Sequence, residues 1–204
     1  MTGFEYPATD PRYNEIFNQA MCQQSTMFMH QILELYNGFE GVKSLVDVGG
    51  GIGASLKIIV AKYPSINTIN FDLDHVIQHD PSHRGGENVS GDMFVSVPKS
   101  DVIFMKWISH NWSDGHCLKL LKDCHEALPE KGKVIIADRI ILEIPKKDPL
   151  VSIDLAADVL MFTLFPGGRE RTEAEFQALT KASGFKHFRK LCCAFNTWIM
   201  ELYK

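Results

Sequence analysis

The sequence predicts an α/β fold, with a mostly parallel β-sheet, helices on both of its faces and an antiparallel hairpin at the C-terminus. Hydrophobic runs of strand length alternate with stretches of helical spacing, an order typical of parallel sheets. The run LVDV at residues 45–48 breaks into a glycine-rich turn before one of these helical stretches. The last two strand-like stretches are joined by only a few residues, which leaves no room for a crossover helix, so they should pair antiparallel.

Spacing and stop signals predict the individual elements in order. Residues 11–37 carry apolar side chains at helical spacing, which suggests two helices broken near 23–25, and Asn37-Gly38 ends the second. Strands are expected at 44–48, 67–72, 101–106, 133–138, 185–193 and 197–204. Helices are expected at 54–63, 115–128, 152–162 and 172–182, several of them ended by proline or glycine.

Composition narrows the function classes. The 204 residues fit one domain, and a formal net charge of −4 without a basic stripe argues against a nucleic-acid partner. The 5 cysteines form no metal-spaced set, so we expect free thiols and no metal. The N-terminal residues lack an apolar core for targeting or for a membrane span, so we expect no membrane partner and a cytoplasmic location.

The glycine turn offers two interpretations of its ligand. Gly49, Gly51 and Ala54 satisfy the dinucleotide pattern G-x-G-x-x-(G/A), and Asp72 ends the next strand where an acid would bind ribose hydroxyls. Taken alone, this fits NAD, and a glycine turn without any ligand stays open. Asp92 and the terminal antiparallel hairpin do not fit an ordinary dinucleotide domain.

Six motifs in order carry a family resemblance. DVGGGIG, INFDLDHVI, GDMF, FMKWISHNWSD, PGGRERTEAEF and AFNTWIMELYK resemble the plant small-molecule O-methyltransferases of the caffeic acid and isoflavone type. The resemblance implies a Rossmann-like sheet, S-adenosylmethionine as the cofactor and S-adenosylhomocysteine as its product. It also implies N-terminal helices over 1–38 that contribute to the pocket, and a cofactor-binding catalytic region over 39–204 within one structural domain. Full-length members of the family begin with a helical domain that builds a homodimer, and we expect this chain to start where that domain ends.

The resemblance implies a set of cofactor contacts. The methionine part would lie near Asp47 and the glycines, the ribose on Asp72, and the adenine on Asp92 and Met93. The complete implied set is Asp47, Gly49, Gly51, Asp72, Leu73, Asp92, Met93, Lys106 and Ser25. For Asp72 a strand-end cap, and for Met93 a core position, are the competing interpretations.

The resemblance also implies a general base with two flanking acids. His110 lies just past a predicted strand at the carboxyl edge of the sheet, where open α/β sheets bind ligands. A phenol with a pKa near 10 is mostly protonated at neutral pH, so a histidine base that removes its proton assists methyl transfer. Asp138 and Glu170 match the acids that orient the histidine. For Glu170, a surface ion pair with Arg169 or Arg171 is the alternative.

A third implied set lines the substrate pocket. Its members are Tyr13, Phe17, Met21, Trp107, Asn111, Leu160, Met161 and Phe165, for all of which core packing competes. Asn111 stands where the caffeic acid type has aspartate, and Phe165 stands where it has asparagine, which should favour a flatter and less polar substrate ring.

The leading functional hypothesis is therefore methyl transfer from S-adenosylmethionine to a phenolic hydroxyl of a phenylpropanoid, flavonoid or alkaloid. Methylation of an aromatic or alkaloid nitrogen stays open, and so does a cofactor-binding domain with little turnover. An NAD-dependent dehydrogenase explains the glycine turn but not the histidine and its two acids.

Overall fold

The computed structural model describes Tyr6, 9–78 and 86–204. Its centre is a mixed β-sheet of eight strands. The strand order is β3-β2-β1-β4-β5-β8-β7, with β6 paired to the end of β5. The strands are β1 (Ser44–Val48), β2 (Asn67–Asp72), β3 (Gly86–Ser90), β4 (Val102–Lys106), β5 (Lys133–Ile141), β6 (Arg171–Thr172), β7 (His187–Ala194) and β8 (Thr197–Tyr203).

Helices connect the strands and cover the two faces of the sheet. They are α1 (Pro11–Leu35), α2 (Ala54–Lys62), α3 (Asp74–Ile77), α4 (Asp114–Ala127), α5 (Pro149–Leu164) and α6 (Glu173–Ala182). A 3-10 turn, Ser109–Asn111, follows β4. Within the described ranges, none of the helices combines the length and the apolar character that crossing a bilayer requires.

The predicted fold class is confirmed. Strands β1 to β5 run parallel to one another, whereas β8 is antiparallel to both β5 and β7. The β7–β8 turn uses Phe195 and Asn196 at φ values of 49° and 58°, the left-handed conformation that tight hairpins need. The parallel strands bring their carboxyl ends to one edge, where a ligand site is expected.

The predicted break in the first helix is wrong, because α1 is continuous from Pro11 to Leu35. The hydroxyls of Ser25 and Thr26 donate to the carbonyls of Met21 and Cys22, at 2.6 and 2.8 Å, and are therefore satisfied inside the helix. Strand β5 also runs three residues past Asp138, which consequently lies inside the strand. The structure adds β3, the two-residue β6 and the short α3, which were not predicted.

Two hydrophobic clusters hold the layers together. One contains Leu120 and Leu121 of α4 and Phe176 of α6 against one face of the sheet. The other contains residues of α1 and α2, such as Phe28 and Leu56, against the opposite face. Each cluster contains buried residues of β4 and β5, as well as of β1 and β8, so the strands that precede the candidate site are packed on both faces.

Candidate active site at the carboxyl edge of the sheet

The glycine turn after β1 forms one wall of the site. Gly49, Gly51 and Gly53 have φ values of 69°, 60° and 70°, a left-handed conformation that favours glycine. A Cβ added to Gly49 would lie 2.4 Å from Ile108 Cδ1, so a larger residue here would displace the Ile108 side chain. The turn therefore exposes backbone, rather than side chains, at the carboxyl end of β1.

Asp72 ties the glycine turn to the end of β2. Its Oδ2 accepts a hydrogen bond from the Gly51 amide at 2.8 Å, and its Oδ1 accepts one from the Leu73 amide at 2.7 Å. Burial raises the pKa of Asp72, although the two amide hydrogen bonds oppose this shift. A carboxylate with two acceptor oxygens at this place suits the pair of hydroxyls on a ribose.

A buried acid and a lysine lie beneath the turn. Asp47 is fully enclosed, and its Oδ2 has no hydrogen-bond partner among the described residues. Burial raises the pKa of Asp47 to about 7, with Lys106 lowering it and Asp72 raising it. Burial lowers the pKa of Lys106 to about 8, against the attraction of Asp47 and Asp138, and its Nζ lies 3.8 Å from the centre of the Trp107 ring. The unpartnered oxygen can accept a hydrogen bond from a ligand donor such as an ammonium group.

His110 forms the second part of the site together with two buried acids. Its Nδ1 lies 3.0 Å from Glu170 Oε1, a hydrogen bond, and 3.8 Å from Asp138 Oδ1. The side chains of both acids are 1% exposed, whereas that of His110 is 14% exposed. The Ser109 amide donates to Asp138 Oδ2 at 3.0 Å and so fixes the carboxylate beside the ring. The cluster thus has an imidazole that is partly open to solvent and two enclosed counter-charges.

The charges in this cluster shift two pKa values upward. Burial lowers the pKa of His110, but the carboxylates of Asp138 and Glu170 outweigh burial and raise it above the ordinary 6.5. Burial raises the pKa of Asp138 to about 6, in spite of the stabilising effect of His110, and the nearby Glu170 adds to the increase. An imidazole with a raised pKa and two adjacent acids can accept a proton and hold it.

The backbone around His110 is held by residues that the sequence analysis did not assign to the site. The Arg169 amide donates to the His110 carbonyl at 2.8 Å, and Arg171 donates to the carbonyls of Ser109 and Trp112, both at 2.7 Å. Arg171 has no exposed side-chain surface. Asp158 accepts a hydrogen bond from the Glu170 amide at 2.8 Å. Arg171 was considered only as a surface partner of Glu170, and spacing along the chain gives no signal for either Arg171 or Asp158.

The surface ion-pair interpretation of Glu170 is excluded by its burial. Arg169 and Arg171 pair instead with Asp114, and Arg169 also pairs with Glu175. Among the described residues, the partners of Glu170 within ion-pair distance are His110, at 3.0 Å, and Arg139, at 3.9 Å.

Other predicted cofactor residues lie at the same edge but make local contacts. Asp92 is exposed and accepts a hydrogen bond from the Phe94 amide at 2.8 Å, and Met93 packs against the first hydrophobic cluster. Leu73 is exposed beside Asp72. Ser25 uses its hydroxyl within α1, as described above, so its predicted cofactor contact competes with an existing hydrogen bond.

The predicted substrate residues form two groups, one near His110 and one in the N-terminal half of α1. Met161 and Phe165 are buried around Gly168, where an added Cβ would lie 2.8 Å from Phe165 Cβ and 3.1 Å from the His110 carbonyl oxygen. Leu160 is an exposed neighbour on α5.

Two residues of this set, Trp107 and Asn111, flank the histidine turn. The Asn111 amide donates to the Trp107 carbonyl at 2.9 Å, and Asn111 is buried. Trp107 has a φ of 57° and donates from Nε1 to the Thr197 hydroxyl at 3.1 Å. Both side chains therefore help to shape the turn itself.

The α1 group lies in the N-terminal half of the helix. Tyr13 stacks on Phe17 with ring centres 6.2 Å apart, and Met21 is half-buried one turn further on. The buried residues of α1 begin at Ser25. The structure therefore places these three side chains on a part of α1 that projects beyond the core.

Comparisons with known proteins show which family the chain belongs to. Residues 1–186 match the O-methyltransferase domain family. The chain is 60% identical over 204 residues to caffeic acid 3-O-methyltransferase 2 of Ocimum basilicum, covering 100% of this chain and 56% of that protein. It is also similar to the solved structure of LaPhzM, with a TM-score of 0.91 and 30% identity, covering 100% of this chain and 62% of that one. A third similar structure is CalO1, a methyltransferase in calicheamicin biosynthesis in its SAH-bound form, with a TM-score of 0.82 and 25% identity over 98% of this chain and 60% of that one. The chain thus spans little more than half the length of the curated relative.

Proposed function

Because the chain belongs to the O-methyltransferase domain family, we propose that it transfers the methyl group of S-adenosylmethionine to a phenolic hydroxyl of a plant small molecule, with His110 as the general base. The observation that carries this proposal is the buried cluster in which His110 Nδ1 meets Glu170 at 3.0 Å and Asp138 at 3.8 Å. The similarity to caffeic acid 3-O-methyltransferase 2 supports a phenolic substrate.

The residues of the glycine wall fit S-adenosylmethionine. The turn offers backbone at Gly49 and Gly51, Asp72 offers two acceptor oxygens for ribose hydroxyls, and the unpartnered Asp47 Oδ2 offers an acceptor for the amino group of the methionine part. Lys106 interacts electrostatically with Asp47 and Asp138, and we therefore assign it to the same wall. The cofactor supplies an activated methyl group on a sulfonium centre, and the protein supplies alignment and proton removal.

His110 has the geometry for proton removal. Because Nδ1 faces Glu170, Nε2 is the nitrogen available to a substrate hydroxyl. As Nε2 takes the phenolic proton, the ring becomes an imidazolium, and Asp138 and Glu170 stabilise its charge from the opposite side. General-base assistance of this kind contributes roughly 10²–10⁴-fold to rate, while positioning contributes the larger share.

Met161 and Phe165 support a flat aromatic substrate. Both are buried, and the Phe165 Cβ, the Met161 carbonyl and the His110 carbonyl all lie 2.8–3.1 Å from the position that a Cβ added to Gly168 would take, so the two residues can supply an apolar wall near the base. Such a wall excludes water and orients a ring so that its hydroxyl points to the imidazole.

Two assays test the proposal. The first is calorimetric titration of the chain with S-adenosylhomocysteine, with NAD in parallel, for which we expect binding of the former only. Asp72→Ala should weaken S-adenosylhomocysteine binding, whereas Asp101→Ala, which removes an acid from the opposite end of the sheet, should not. The second assay is methyl transfer from labelled S-adenosylmethionine to catechols and flavonoids. Binding of NAD with no binding of S-adenosylhomocysteine would contradict the proposal.

A further inference from the structure

The cluster of His110, Asp138 and Glu170 has the dimensions of a metal site. One ligand atom from each side chain can be chosen so that all three lie within 4.8 Å of one another. The separations from His110 Nδ1 are 3.0 Å to Glu170 Oε1 and 3.8 Å to Asp138 Oδ1. Zinc bonds of about 2.0–2.2 Å in a tetrahedron place ligand atoms roughly 3.3 Å apart, which lies between these two separations.

Two buried oxygens in the cluster lack hydrogen-bond partners among the described residues. They are Asp138 Oδ1 and Glu170 Oε2, on side chains that are each 1% exposed. A buried oxygen without a partner is unfavourable, and a bound cation relieves this cost. The carboxylates are also held in place, since the Ser109 amide donates to Asp138 Oδ2 and Glu170 Oε1 is hydrogen-bonded to His110 Nδ1. Little reorganisation is therefore needed to coordinate an ion.

We propose that this cluster binds one divalent transition-metal ion, of which Zn²⁺ is the representative, through His110 Nδ1, Asp138 Oδ1 and a Glu170 carboxylate oxygen. One imidazole and two carboxylates form a donor set that suits Zn²⁺ and Co²⁺, and the two negative charges balance the ion. Mg²⁺ needs a nearly octahedral shell of oxygens and retains its water, so it should not compete. Arg139, at 3.9 Å from Glu170 Oε1, opposes the ion and should keep the affinity below that of a structural zinc site.

The bound ion would inhibit methyl transfer, a consequence that rests on the proposed function. A neutral imidazole has one nitrogen with a free lone pair, and coordination through Nδ1 commits it to the metal. The proton of the ring then resides on Nε2, which can no longer accept one from a phenol. Metal binding itself does not depend on the methyl-transfer proposal, so the two are tested separately.

Visible absorption of the chain titrated with Co²⁺ tests metal binding directly. We expect the d–d bands of a four- or five-coordinate ion with nitrogen and oxygen ligands, and their displacement by Zn²⁺ but not by Mg²⁺. Substitution of a residue that only hydrogen-bonds to a metal ligand lowers metal affinity by roughly 10–100-fold. Because Glu170 is itself a ligand in this proposal, Glu170→Gln should weaken Co²⁺ binding by more than that. Glu173→Gln, which removes an acid that pairs with Lys190 on the surface, should leave the binding unchanged.

Cysteine thiolates are the competing ligands, and a second variant separates them. Cys22, Cys192 and Cys193 are half-buried, so a triple Cys→Ser variant removes the accessible thiols, and its Co²⁺ spectrum should match that of the parent chain. Asp138→Asn is the second ligand variant if Glu170→Gln fails to fold, with the far-UV circular dichroism spectrum and a cooperative urea unfolding transition as the check on folding.

Two results would overturn the proposal. One is equal Co²⁺ affinity in the parent chain and in a folded ligand variant. The other is a thiolate charge-transfer band that disappears with the cysteines. In the turnover assay, Zn²⁺ should inhibit and a chelator should restore activity. Co²⁺ binding without inhibition of methyl transfer would overturn the inhibitory role, whereas the proposal of a metal site would stand.

Discussion

Arg171 offers the most specific prediction about how the turn around His110 is held. The side chain is fully buried and donates at 2.7 Å to the carbonyl of Ser109 and at 2.7 Å to that of Trp112. These two carbonyls flank His110, and the guanidinium also donates to Asp114 at 2.8 and 3.0 Å. Arg171→Met keeps the apolar stem but removes every one of these hydrogen bonds.

The expected loss of stability follows from the groups that are left behind. Each buried carbonyl that loses its donor costs about 1–3 kcal/mol. The Ser109 carbonyl retains the Trp112 amide as a donor at 3.2 Å, so the lower end of that range applies to it. The Cys117 thiol is a weak donor 3.3 Å from the Ser109 carbonyl and 3.7 Å from the Trp112 carbonyl, so the Trp112 carbonyl bears most of the loss. The ion pair with Asp114, whose side chain is 56% exposed, adds only about 0–1 kcal/mol because solvent screens it. The sum is about 3 kcal/mol for Arg171→Met, a large part of the roughly 5–15 kcal/mol that a domain possesses.

Urea unfolding, combined with the two functional assays, checks this prediction. Arg169→Met is the matched control, because Arg169 is 37% exposed and its side chain pairs only with surface acids, so it should cost about 0–1 kcal/mol. In the absence of urea, and at a temperature where Arg171→Met is still folded, we expect turnover to fall more than S-adenosylhomocysteine affinity, because the lost hydrogen bonds support the turn that contains His110. A loss below about 1 kcal/mol, equal to that of Arg169→Met, would refute the reasoning.

Three further predictions address the base, the glycine turn and the buried acid. Glu170→Gln should lower turnover by at least about tenfold and move the acidic limb of the kcat/KM profile to lower pH, because the His110 pKa loses a cause of its increase; an unmoved limb would contradict this. Gly49→Ala should weaken S-adenosylhomocysteine binding, because its Cβ would lie 2.4 Å from Ile108 Cδ1 and would displace that side chain beside the glycine turn. Gly41→Ala, at a φ of 73° with open space, should cost only the backbone strain of about 1–2 kcal/mol and keep binding, and equal binding by the two variants would contradict this. Folding raises the pKa of Asp47 from 3.8 to about 7, so between these pH values the folded chain binds a proton that the unfolded chain lacks, and the free energy of unfolding should fall as pH rises. Asp47→Asn should flatten this fall in urea titrations at several pH values, and an unchanged slope would contradict the prediction.

The parts of the fold that sequence predicts best are those with buried, periodic residues. Strands β1, β2 and β4 begin and end within one residue of the prediction, because their apolar runs are bounded by glycine, proline or acid. Strand β3 was missed because its residues, GENVS, include no buried side chain and so show no apolar pattern. The false break in α1 came from treating a polar stretch as a stop, although its hydroxyls bond within the helix.

The sequence predicts which residues come together in the candidate site, but it does not predict how deeply each of them is buried. Strand order brings His110 and Asp138 to one edge, and that follows from alternating elements. The burial of Glu170 does not follow, because two arginines beside it suggested a surface, and only the fold turns them towards Asp114. Arg171 was missed for the same reason, since its partners are backbone carbonyls more than fifty residues earlier in the chain.

The rate of methyl transfer to a phenol by His110→Ala, beside that of His187→Gln, tests the central claim most directly. His187 is an exposed histidine at the start of β7, so its replacement controls for the loss of any imidazole. If His110 is the base, His110→Ala should lose roughly 10²–10⁴-fold in rate while it binds S-adenosylhomocysteine normally, and His187→Gln should match the parent chain. Equal methyl-transfer rates in the two variants would contradict the account.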